Sequence, residues 1–90
     1  RIDELLVHHK ERLHEVCDVL TKRPDQTAYE VASQMRWNLP VPWKEWPPFM
    51  RRMALTEALA HLELLFNRGE VRRQIADGGL VRYAVAGPAS

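Results

Sequence analysis

Little in this sequence points to chemistry of its own. It has one cysteine, Cys17, so no disulfide can form within the chain, and a reducing, cytoplasmic setting is the expectation. No apolar run approaches the roughly 18 residues of a membrane span, and no basic start precedes an apolar block as in a signal peptide. Charge is nearly balanced, with 13 Lys and Arg against 12 Asp and Glu. A dedicated nucleic-acid binder carries a clear basic excess, so this balance gives that class no support. There is no glycine-rich phosphate loop, because Gly78 and Gly79 fall in a hairpin turn signal. Thr27, Ser33 and Thr56 lack the histidine and acid partners of a hydrolase triad. The four histidines, His8, His9, His14 and His61, never occur at i, i+4, the spacing that aims two imidazoles at one metal ion. The chain is therefore expected to hold no metal or cofactor and to be no enzyme by itself.

What is present is patterned. Ninety residues suit one small domain with a shallow core, expected over 1–86 with a tail at 87–90. The chain starts at Arg1 and enters a helical pattern at once, as an excised piece of a longer protein would. Over 2–21, Ile2, Leu5, Leu6, His9, Leu13, Val16, Cys17 and Leu20 form one helical stripe, and Pro24 ends it. Thr27-Ala28-Tyr29-Glu30 is a capping box that starts a short helix over 27–35, with Val31 and Ala32 inward. A long helix follows over 48–68, with Leu55, Leu59, Leu62 and Phe66 as its expected core stripe and Gly69 as its left-handed stop. Beyond Gly69 the period becomes two. Strands over 70–76 and 80–86 flank the turn Asp77-Gly78-Gly79. Three helices followed by a hairpin is winged-helix order, mainly α with a β-hairpin wing.

Two stretches stand apart. Residues 37–48 read WNLPVPWKEWPP and hold all three tryptophans of the chain. Proline lacks an N–H and fixes φ, so this run forms neither a regular helix nor a central strand. Its rings either cover Met53 and Leu64 or, pre-ordered by proline, form a contact surface together with Phe49. The second stretch is the wing, where Arg68, Arg72, Arg73 and Arg82 collect as candidate phosphate contacts. A winged helix reads DNA through its third helix. Here the face away from the expected stripe carries Phe49, Met53, Ala60 and Leu64 flanked by Glu57 and Glu63, which repel phosphates.

Ala58-Leu59-Ala60-His61-Leu62-Glu63-Leu64-Leu65, followed by Gly69-Glu70-Val71, resembles the pattern L-x-A-H-L-x-x-L…G-x-V of the winged-helix domain at the C-terminal end of metallo-β-lactamase-fold hydrolases. His8 and Arg12 are similar to that family's H-R-x-x-R-E segment, although His9 stands where the family has Arg and Leu13 where it has Glu. The capping box fits the family's second-helix start. The resemblance runs from Ile2 to about Val85. It implies a parent hydrolase whose N-terminal αββα domain binds zinc or another divalent metal and activates a water. Its H-x-H-x-D-H ligand motif is absent from this sequence. The chain would be the noncatalytic C-terminal module, packed on that catalytic domain and shaping access for substrates such as thioesters, lactones or nucleic acids. On this reading Trp37, Pro42, Trp43, Trp46, Phe49, Met53 and Leu64 form the contact with the catalytic domain or substrate channel, and His8 and Arg12 make polar contacts from the first helix. The alternatives are a nucleic-acid-binding winged helix, using the arginine wing, and a homodimerising domain.

Overall fold

The structure, a computed structural model, describes residues 2–37 and 40–86, and the side chains among them from residue 10 onward except that of Asp77. The stripe residues Ile2, Leu5, Leu6 and His9, the side chain of His8 and the tail 87–90 lie outside these described side chains. Helix α1 spans Ile2–Lys22, strand β1 Gln26–Thr27, helix α2 Ala28–Gln34, helix α3 Pro48–Asn67, strand β2 Val71–Ile75 and strand β3 Val81–Val85. A 3₁₀ turn at Trp43–Glu45 lies inside the tryptophan–proline segment. The result is a mainly helical, winged-helix-like α+β fold with a C-terminal hairpin, as the sequence order predicts.

Local chemistry sets the boundaries. The Thr27 hydroxyl accepts from the Glu30 N–H at 3.1 Å while the Glu30 carboxylate accepts from the Thr27 N–H at 2.9 Å, the reciprocal capping box. Pro48 occupies the first turn of α3, where a missing N–H costs nothing. At the other end Gly69 takes φ 79°. Its N–H donates to Phe66 O at 3.0 Å and the next N–H, of Glu70, donates to Leu65 O at 3.0 Å, which satisfies two orphan carbonyls in a Schellman closure. The hairpin closes with Gly78 and Gly79 at φ 83° and 80°, and the Ala76 N–H donates to Leu80 O at 2.7 Å.

The sheet holds one strand that the sequence pattern does not reveal. β1 is two residues long and pairs antiparallel with β3, Gln26 opposite Tyr83, so the order is β1-β3-β2. Two residues are too few for a period of two to register, and Gln26 is not an apolar signal. Yet Gln26 is fully buried. Its amide donates to Val19 O at 2.9 Å and to Arg23 O at 2.5 Å, and its oxygen accepts from Arg23 Nη2 at 3.3 Å and from Gln34 Nε2. The amide therefore joins the end of α1 to α2 and the sheet.

The core lies where α1, α2 and α3 meet the inner face of the hairpin. Leu13, Val16, Leu20, Val31, Ala32, Leu62, Leu65, Val71 and Tyr83 are among its buried members, and Cys17 packs against it from the expected stripe. For α3 the expected stripe needs correction. Ala54, Ala58, His61, Leu62 and Leu65 face inward, while Leu59 is 40% exposed and Leu55 and Phe66 are half-buried. The helix is turned so that small residues, Ala54 and Ala58, meet its neighbours and allow close approach. The expected stripe is right at Leu62, and a stripe chosen for large side chains misses the alanines that share its face.

Candidate functional site

The tryptophan–proline segment is built as a packed aromatic corner. Each indole N–H finds an acceptor: Trp37 donates to Ala32 O at 2.8 Å, Trp43 to the Tyr29 hydroxyl at 3.3 Å, and Trp46 to Val41 O at 3.1 Å. The Trp37 bond also occupies one of the carbonyls freed at the end of α2. The rings meet edge to face or tilted, with centroids 6.3 Å apart for Trp37–Trp46, 4.9 Å for Trp43–Trp46 and 5.6 Å for Tyr29–Trp43, the spacing favoured by aromatic quadrupoles. Trp46 is buried, and Trp37 and Trp43 are half-buried against the core.

Arg12 anchors this corner to α1. Its guanidinium lies 4.7 Å from the Trp37 ring centroid, donates to Arg36 O and pairs with Glu15 at 3.1 Å. Glu15 in turn accepts from the Arg36 N–H. Arg12 therefore bonds inward, to the loop, within these residues; its expected neighbour His8 lies outside the described side chains.

The seven expected contact residues do not act alike. Phe49 and Met53, one helical turn apart on α3, are 63% and 67% exposed, so the loop does not cover Met53. Leu64 packs against the core, Trp46 is turned inward, and Pro42 is exposed. The structure thus leaves Phe49 and Met53 exposed on α3, while the aromatic corner is largely self-satisfied.

Three of the four wing arginines have partners. Arg73 pairs with Glu63 and lies 4.0 Å over the Phe66 ring. Glu63 also accepts from the Tyr83 hydroxyl at 2.8 Å. This triad pins the wing to α3. The bonded Arg73 guanidinium, then the Tyr83 hydroxyl, hold the Glu63 carboxyl below the usual carboxylate range; burial, then the bond to Glu63, pushes the Tyr83 phenol up to about 12. Arg82 donates to Asp25 O at 3.0 Å and lies 3.5 Å from Glu30. Glu30 is held below the usual range first by the Thr27 backbone N–H and then by Arg23, with Arg82 adding to it. Arg68 lies 3.8 Å from Glu70. Among the described residues Arg72 is the wing arginine in no ion pair.

No three His, Cys, Asp or Glu side chains among the described residues are placed to hold a metal ion. His61 is buried with Nδ1 2.7 Å from Glu57 O. Among the described residues no helix is long and apolar enough to cross a membrane.

With this geometry in hand, the likenesses to known proteins fall into place. Residues 49–86, which are α3 and the hairpin, match the family model described as metallo-beta-lactamase-like, C-terminal domain. Over α3 and the hairpin the chain is thus similar to the C-terminal domain of metallo-β-lactamase-like proteins. It is also similar to a solved structure, a beta-lactamase domain protein from Burkholderia ambifaria, at 35% identity and a TM-score of 0.76. That match covers 96% of this chain and 24% of the other, so the chain spans about a quarter of that protein's length. No curated protein matches the chain.

The residues that sequence reasoning missed are Gln26, Tyr29 and the Glu63–Tyr83 bond. The signal for the last was present as an acid on α3 and a tyrosine on the inner side of a strand, but pairing them needs the hairpin's docking angle.

Proposed function

We propose that the chain is the noncatalytic C-terminal module of a metal-dependent hydrolase, seated on a metallo-β-lactamase-fold catalytic domain of the same protein and shaping access to it. The observation that carries this reading is the match of nearly the whole chain to a quarter of a β-lactamase domain protein, at 35% identity. Physical chemistry adds where the seat lies. Phe49 and Met53 are large, apolar and exposed on consecutive turns, and contiguous exposed apolar area marks an interface. Trp37, Trp43 and Pro42 would extend that surface, with Trp46 bracing the two other indoles and Leu64 packed against the core instead. On this reading metal chemistry, zinc or another divalent ion, belongs to the catalytic domain; among the described residues of this chain no three His, Cys, Asp or Glu side chains are grouped to hold a metal. The nucleic-acid alternative gains nothing from the wing, whose arginines are mostly committed to acids of the chain itself.

Peroxide oxidation of the intact protein tests the seat. A docked Met53 should form sulfoxide about tenfold more slowly than methionine in a short peptide, and Phe49→Asp should restore the fast rate. Oxidation of Met53 at the peptide rate in the intact wild-type protein would remove this reading.

A further inference from the structure

At the start of α3 is a shallow cavity of about 250 Å³ lined by Tyr29, Pro48, Arg51, Arg52 and Leu55. Its polar groups have one character. Among the described residues neither Arg51 nor Arg52 takes part in an ion pair, unlike Arg12, Arg68, Arg73 and Arg82. The Tyr29 oxygen accepts from the Trp43 indole N–H at 3.3 Å, and the Arg51 guanidinium lies beside it. Indole and guanidinium are donors only, so neither can take the phenolic proton. The hydroxyl is therefore left with a donor to offer into the cavity, next to two cations. The Trp43 bond first, and then Arg51, hold the pKa of this exposed phenol below its ordinary value, as a surplus of donors around one oxygen should. The walls are apolar: Leu55, Pro48 and the Tyr29 ring, which Trp43 braces at 5.6 Å.

We infer that this cavity is a binding site for a small organic anion, a phosphate ester or carboxylate carried on an apolar or aromatic body. Arg51 and Arg52 would hold the anionic oxygens, the Tyr29 hydroxyl would donate to one of them, and Leu55 and Pro48 would take the body. The planar fork of a guanidinium matches the two-oxygen edge of such anions, and a second cation beside it adds charge. The larger groove between α1 and α2, of about 500 Å³, is a poorer candidate: Glu11, Glu15 and Asp18 there offset Arg12, Lys22 and Arg36. The cavity does not depend on the proposed seat, though Arg52 adjoins Met53, so a ligand bound there lies at the rim of that seat.

The Trp43 indole N–H reports on the cavity through Tyr29, wherever else the intact protein binds anions. Titrating the intact protein with phenyl phosphate or phenylacetate should move this one NMR resonance, assigned by its loss in Trp43→Phe, along a saturable curve. Benzyl alcohol, which lacks the charge, should leave it in place. Arg51→Gln or Arg52→Gln should each weaken binding about tenfold or more, and Tyr29→Phe about threefold, while Arg72→Gln changes nothing. Overturning results are an indole resonance that no anion moves, a shift that benzyl alcohol reproduces, or an affinity indifferent to both arginine changes. Met53 oxidation is blind to these outcomes, so failure here and failure of the seat are separate findings.

Discussion

Residues 40–48 and the hairpin over 71–85 show that regularity and burial are separate properties: each mixes exposed residues with buried ones, Trp46 in the first and Val71, Tyr83 and Ala84 in the second. The first segment has no strand and only one 3₁₀ turn, yet it contains Trp46 at 6% exposure. The hairpin is regular, with five registered pairs between β2 and β3, yet its Ile75 is 72% exposed and Leu80 46%. Backbone hydrogen bonds hold the wing as a ribbon, and one triad fastens it to α3. Side chains hold the tryptophan–proline corner, where each indole fills space and finds an acceptor: the Ala32 carbonyl of α2, the Tyr29 hydroxyl or the loop carbonyl of Val41. Periodicity thus measures how a segment bonds to itself and says little about how deeply it is packed.

The strongest way to break this comparison is at the two extremes of exposure. Trp46→Ala should cost about 3–5 kcal/mol of unfolding free energy, and Ile75→Ser should stay within about 0.5 kcal/mol; urea denaturation measures both. Near-equal costs would show that the corner is not packed as described.

The wing's fastening is of intermediate strength and should depend on pH at both ends. Tyr83→Phe should cost about 1 kcal/mol at neutral pH. Because burial and the Glu63 bond raise the phenol from 10.0 to about 12, its neutral form is favoured in the folded state. That contribution is complete below pH 10 and is lost as pH rises towards 12. Glu63 is depressed, so its contribution is present above the ordinary carboxylate range and is lost as pH falls through the lowered value. At 37% side-chain exposure it is screened and should amount to less than about 1 kcal/mol. Thermal melts against pH should flatten on the alkaline side in Tyr83→Phe and on the acid side in Glu63→Gln.

The smallest effect sharpens the comparison from the loop side. Arg12→Gln removes the guanidinium over Trp37 and should cost about 0.5–1 kcal/mol. Near-ultraviolet dichroism of the tryptophans should change while the hairpin's strand pairing, read by backbone amide exchange, is unchanged. A change confined to the hairpin would contradict the assignment of Arg12 to the loop.

Elements with strong local signals were legible in the sequence. The capping box, the Gly69 stop, the Gly78-Gly79 turn and the helix order all follow from one-dimensional chemistry. The inward face of α3 was legible only at Leu62, because Ala54, Ala58 and His61 share that face with Leu62 and Leu65 and give no large apolar signal. β1 was hidden because its pairing partner, β3, lies far along the chain. For the candidate site, the concentration of tryptophan was plain, but which ring faces in depends on acceptors, such as Ala32 O, that no spacing rule supplies. The arginines of the wing were visible as charge, and only folding shows that most of that charge is already spent on Glu63, Glu70 and Glu30.

The buried amide of Gln26 has a consequence for assembly. It uses both of its protons and both lone pairs, and the four partners come from α1, the α1–β1 turn and α2. A one-residue slip of β1 along β3 would turn this side chain to the opposite face and strand all of those groups at once. Glutamate cannot supply the donors, and methionine can supply none of the four bonds. Gln26 therefore works as a proofreading residue, accepting one register of helices and sheet and rejecting its neighbours.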